Sequence, residues 1–477
     1  MNTAAFSCAK TLAFAFTAVA VFCPAWTARA QTAAGNATPA APAAATSGVP
    51  LGGEMPNVNR QQALANDNIP LNPPLAKIPA TTGPIGSDAW WNGPYAAGDW
   101  FGLRPIVEKA DGVDFGATYL SNLAGNPYGG ARQGFTNTGS TGLNLNLDLE
   151  TIAGLKDWDF YSTAVWRYGE SLSQRYIQNQ FNVQQNFGGQ NLRLYAAYLQ
   201  KSWDDGRLLV KFGRFAAGDD FLSSPIYWLY MNNGIDGNPV SVFLNVPWTA
   251  YPNGTWATMA KLKPSPDWYV EAGVYEAQTA YQTRMAAHGV DLSFVTGRGV
   301  NFNVQAGYTP NAEKDAKGLP GHYSVGAYAV AASFSRLSAP AQMVQNNYGV
   351  YAMIDQMVYR EGGPGTQQGL TPWAAVLVSP TPDRSLMPYY AVGGAVYQGL
   401  IPGRDNDVTA LGVIYGKYSG ELTTPSRNSY EMVIEANYKI QVNQWLFVQP
   451  AMQYIINTGG GIHPDALVLG SQIGLTF

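Results

Sequence analysis

Several stretches of the chain alternate between apolar and polar residues with a period of two. In LNLNLDL (143–149), Leu143, Leu145, Leu147 and Leu149 share one side, and Asn144, Asn146 and Asp148 take the other. NFNVQAGY (301–308) sets Phe302, Val304, Ala306 and Tyr308 against Asn301, Asn303, Gln305 and Gly307. In YEMVIEANYKI (430–440) the same split holds with Val433 alone out of phase, and RLLVKFG (207–213) repeats it more weakly. The closing ALVLGSQIGLTF also alternates, with Val468 and Ser471 out of phase, and ends on Phe477. Successive side chains of a strand point to opposite faces, so these stretches predict two-faced β-strands. Gly, Asn, Pro and Asp separate them: QVNQ (441–444) predicts a tight turn, whereas 417–429 and 457–465 predict longer loops.

Any half-buried sheet alternates in this way. Here the apolar side stays apolar along whole strands, and the other side carries Asn, Gln, Asp, Glu, Gly and Lys. Trp158, Tyr168, Tyr308, Tyr438 and Trp445 fall near strand ends, as an interfacial girdle requires. A lipid-facing sheet must close on itself to pair every backbone group. The expected fold is therefore all-β, a transmembrane antiparallel β-barrel over 98–477. At ~9–11 residues per strand this length suits about 16 strands, although 14 or 18 also fit.

Composition sharpens this picture. Charged residues are 13% of the chain, about half the usual share in soluble domains. Glycine occurs 52 times in 477 residues. Mean hydropathy is −0.12, and past the N-terminus no run of ~18 apolar residues suits a membrane helix. Residues 1–30 read as a signal peptide, with Lys10, an apolar core from Thr11 to Cys23, and Ala28-Arg29-Ala30 before the cut. Cys8 and Cys23 both lie in that segment, so the mature chain is expected to hold no disulfide and no Cys-bound metal. Residues 31–97 are rich in Ala and Pro and read as a disordered, flexible periplasmic leader. The full chain carries −4, and no basic run points to nucleic acid.

A series of strings resembles the carbohydrate-selective porin (OprB-like) family of Gram-negative outer membranes. In order they are GDWFGLRPIVEKADGVDFGATY (98–119), GNPYGG (125–130), LDLETIAGL (147–155), RYGESLS (167–173), LVKFGRFAAGDDF (209–221), YPNGTWA (251–257), GVYEA (273–277) and IPGRDNDVTALGVIYG (401–416). The stretch 430–461 and the closing strand complete the series. The resemblance implies a 16-stranded barrel in the outer membrane that passes sugars passively down a gradient. Its partners would be outer-membrane lipid, sugars and the barrel-assembly machinery, whose recognition signal the terminal Phe477 resembles. A pore for other small neutral or anionic solutes, or a plugged surface-binding barrel, are the alternatives.

A sugar pore needs hydrogen-bonding groups for hydroxyls and rings for the apolar faces of pyranoses. The candidate solute contacts are Asp148 and Glu150 at the end of one strand, and Arg167 in the string that resembles the family's eyelet segment. Lys211, Arg214 and Asp220 around FGRFAAGDDF, and Trp256 in YPNGTWA, complete the set. Phe477 is the candidate for barrel closure. His288, His322 and His463 are isolated, and no H-E-x-x-H, G-x-S-x-G or C-x-x-C occurs. Neither catalysis, a cofactor nor a metal is expected.

Overall fold

The computed structural model describes residues 85–98, 102, 112–188, 191–277, 288–290, 292–294, 299–312, 316–363, 366–423 and 429–477. The expected signal peptide, 1–30, and most of the expected leader, 31–97, lie outside them. The described residues form one closed sheet of 16 antiparallel strands. These are β1 (Val113–Tyr128), β2 (Gly134–Asp148), β3 (Trp158–Tyr168), β4 (Leu192–Trp203), β5 (Leu208–Phe215) and β6 (Thr255–Ser265). Then come β7 (Trp268–Glu276), β8 (Val300–Tyr308), β9 (Gly321–Arg336), β10 (Ala339–Gln356) and β11 (Gly369–Val378). The last are β12 (Tyr389–Gln398), β13 (Val408–Lys417), β14 (Tyr430–Gln441), β15 (Leu446–Ile456) and β16 (Ala466–Thr476). A two-residue extension, Tyr359–Arg360, pairs with the start of β11.

Each strand pairs with its sequence neighbours, and β1 closes the ring against β16 with Thr118 opposite Thr476 and Leu120 opposite Gly474. An even strand count puts both chain ends at the same end of the barrel. At that end 204–207, 266–267 and 442–445 are tight turns, and no connection there exceeds twelve residues. The opposite end carries the long segments 169–191, 216–254 and 277–299.

The alternation sorts as a barrel demands. Leu143, Phe212, Val304, Ile354, Leu411 and Leu469 are exposed on the outer wall, while Asn122, Gln200, Asn301, Glu435 and Gln472 are buried facing inward. Rings edge the outer wall: Trp268 lies 4.7 Å from Tyr308, and Tyr415 lies 5.3 Å from Tyr430. Lys201 reaches between Trp158 and Trp203, its ammonium 5.9 and 5.5 Å from their ring centres.

Residues 85–98 lie against the turn end. A short helix, α1 (Asp88–Trp91), is capped by Ser87, and the Ala96 N–H donates to the Thr476 carbonyl at 2.8 Å. Trp445 packs its ring 5.0 Å from Trp90 and 5.8 Å from Trp91, so it serves this contact and not the outer girdle. The first strand begins at Val113.

Candidate functional site

Two of the long segments turn into the barrel. Residues 169–191 leave β3 and residues 216–254 leave β5; most residues of 216–254 are buried, as are 171–173, 177, 179 and 181–187 of the first segment. They cross to the wall formed by β11–β16. There Trp373 donates to the Tyr230 hydroxyl at 2.9 Å, Tyr230 to the Leu411 carbonyl at 3.0 Å, and Tyr390 to the Gly234 carbonyl at 2.6 Å. The two loops also pair with each other. The Asn233 N–H donates to the Asn182 carbonyl at 2.8 Å, and the Gln185 N–H to the Met231 carbonyl at 3.2 Å. Irregular backbone inside a barrel needs such partners, because every buried N–H and C=O must be satisfied. Side chains do the same work: Asn238 donates to the carbonyls of Gly218, Phe221 and Leu222.

On the opposite wall three arginines rise from three consecutive strands. Arg167 on β3, Arg193 on β4 and Arg214 on β5 are all buried, and they converge on residues 251–254. Arg214 donates to the Gly254 carbonyl at 2.7 Å, and Arg193 to the Asn253 side-chain oxygen at 2.5 Å. Arg167 donates to the Gln185 carbonyl at 2.7 Å, with its guanidinium 5.6 Å from the Tyr251 ring centre and 5.9 Å from that of Phe187. The planar guanidinium suits this double task of stacking and donating.

Beside the arginines lies an acid–base cleft lined by Leu209, Lys211, Asp219, Asp220, Met259, Lys261 and Glu271. Lys211 pairs with Asp220, both nearly fully buried, and Lys261 with Glu271 at 3.6 Å. Tyr195 donates to Asp219. Gln305 donates to Glu271 at 2.7 Å and to the Tyr269 hydroxyl at 3.0 Å, and it accepts from Tyr351 at 2.9 Å. Donors, acceptors and ring faces thus share one wall, a mix suited to weak contact with polyhydroxy solutes.

The sequence-derived candidates divide accordingly. Arg167, Lys211, Arg214 and Asp220 come together on this inner wall. Asp148 and Glu150 sit at the turn end. Asp148 caps the five-residue helix Leu149–Ala153, accepting from the N–H groups of Glu150 and Thr151, and Glu150 accepts from the Asp157 N–H at 3.0 Å. Trp256 shares its side of β6 with exposed Thr258, stands 6.2 Å from the outward Phe212 ring, and donates to the Leu292 carbonyl. Phe477 donates its N–H to the Ala117 carbonyl at 2.8 Å, next to the closing register. Arg193, Lys261 and Glu271 were not among the candidates. The signal for Arg193 lies in LRL (192–194), a charge flanked by leucines of outward parity.

Residues 132–477 match the family model of the carbohydrate-selective porin, OprB family. This chain belongs to that family. Porin B of Pseudomonas aeruginosa is 29% identical over 428 residues, covering 81% of this chain and 92% of that protein. A putative porin QuiX of Acinetobacter baylyi is 26% identical over 419 residues, covering 80% and 92%. The high-pH structure of Pseudomonas putida OprB superposes with a TM-score of 0.73 at 26% identity, covering 81% of this chain and 99% of that one. This porin is thus a sugar channel of the Gram-negative outer membrane. The short turns of such barrels face the periplasm and the long loops face outward, so the two inward segments enter from the external side.

Proposed function

We propose that sugars pass passively, down their gradient, through the gap that the two inward loops leave along the β3–β7 wall. The observation that carries this reading is the convergence of Arg167, Arg193 and Arg214 on residues 251–254, beside the Lys211–Asp220 and Lys261–Glu271 pairs. Fixed donors and acceptors replace water around sugar hydroxyls, and spreading them over several weak contacts lets the solute leave. Asp148, Glu150 and Trp256 stand apart from this wall and belong to the frame of the pore. The protein performs no catalysis in this reading. Its precursor loses residues 1–30 near Ala30, the leader 31–97 stays on the periplasmic side, the outer apolar belt meets lipid, and Phe477 is read by the assembly machinery.

Swelling of proteoliposomes in isotonic glucose tests the central claim. Swelling well above that of protein-free vesicles is expected, and equal rates would refute it. The arginine trio also favours a second reading, in which small anionic solutes use the same path. Faster swelling with carboxylates than with sugars of equal size would select that reading.

A further inference from the structure

We infer that Glu431 and Glu435 set the width of the pore by anchoring both inward loops to the far wall. The two carboxylates lie four residues apart on β14, on its inner face and fully buried. That spacing is about 13 Å along a strand, and each carboxylate takes a different loop.

Glu431 accepts from the backbone N–H groups of Gln180 (2.9 Å) and Phe181 (3.0 Å), and from Gly459 in the loop between β15 and β16 (2.7 Å). Glu435 accepts from Met231 and Asn232, each at 2.8 Å, with the Asn437 amide adding a bond at 3.1 Å. Neighbouring side chains on the same wall extend the anchor. Gln453 donates to the Val183 carbonyl and accepts from Asn232, while Asn437 and Gln449 both donate to the Leu229 carbonyl.

The residues gripped adjoin the points where the loops pair with each other, Asn182 with Asn233 and Gln185 with Met231, and at Met231 the two coincide. A carboxylate accepting backbone N–H groups makes charge-assisted bonds roughly twice as strong as neutral ones. Amide replacement turns one acceptor into a donor facing another donor. Glu431 and Glu435 are far in sequence from the strands that carry Arg167, Arg193 and Arg214, and they bond to the backbone of the two loops. They act through the loops and are positioning residues. Their effect is on aperture, so ion conductance tests it independently of which solute is carried. A channel that conducts ions yet excludes glucose would sink the sugar reading and leave this one standing.

The test compares E431Q, E435Q and the double variant with the wild type in planar bilayers and in liposomes. Assembly is checked by heat-modifiable migration. In assembled variants we expect single-channel conductance to rise about twofold or more, and trisaccharide swelling to rise relative to glucose. Amide hydrogen exchange should quicken in 179–183 and 229–233. Loss of charge alone would shift ion selectivity but would not admit a larger neutral sugar. Wild-type conductance, sieving and exchange in assembled variants would overturn the inference. Should the double variant fail to assemble, each single variant keeps one anchor and carries the same test with the same overturning result.

Discussion

Arg193 sits between Leu192 and Leu194, so the strand period that turns both leucines outward turns its guanidinium into the barrel. There it joins Arg167 and Arg214, and three fixed positive charges on one wall must bias which ions enter. Arg193→Gln is therefore expected to shift the reversal potential in a salt gradient toward cation selectivity, with single-channel recording as the check. A second single-residue effect lies outside the membrane strands. Burial raises the pKa of Asp407, but bonds from Arg404, Tyr438 and the Gln441 N–H outweigh it and hold the carboxyl below its usual range. A carboxylate with a depressed pKa stabilises the fold fully above its unfolded value of ~4 and loses that contribution as pH falls through the lower folded value. Asp407→Asn should cost about 1–3 kcal/mol near neutral pH. The gap to wild type should close in urea titrations run at progressively more acid pH below ~4.

Strands were legible in the sequence because one rule, inside polar and outside apolar, governs most of their positions. The exceptions carry information of another kind. Val433 and Val468 break the alternation, yet both face inward and are buried in the apolar cluster that the folded-in loops complete. An apolar residue of inner parity thus marks where a loop packs on the wall. The loops themselves have no period, so their course across the lumen could not be read from 169–191 or 216–254. Glycines report the same contact: a Cβ on Gly412 would stand 2.7 Å from the Tyr230 ring and 2.8 Å from Ile235, whereas one on Gly116 would meet nothing within 4 Å. Gly412→Ala should therefore destabilise the barrel by about 1–3 kcal/mol through overpacking. Gly116→Ala should leave its urea midpoint in lipid vesicles near the wild-type value.

At the scale of the whole molecule, closure depends on the last residues. β16 pairs with β1 through Thr476 opposite Thr118, and the Phe477 N–H extends that seam to the Ala117 carbonyl. From the other side the Thr476 N–H donates to the Trp445 carbonyl and its carbonyl accepts from Ala96, so the terminus is held by three segments at once. An open seam in lipid would leave backbone groups without partners, which the bilayer penalises by several kcal/mol each. The seam is far in sequence from the arginine wall and from the loops that narrow the pore. Deleting Phe477 should therefore lower the amount of heat-modifiable barrel recovered from outer membranes, while channels that do assemble keep the wild-type reversal potential and sugar sieving. Equal recovery of the deleted chain would remove any special role for this residue in closure. Altered sieving at unchanged recovery would mean that the seam and the constriction are mechanically coupled, which the separate anchoring of the loops on β14 argues against.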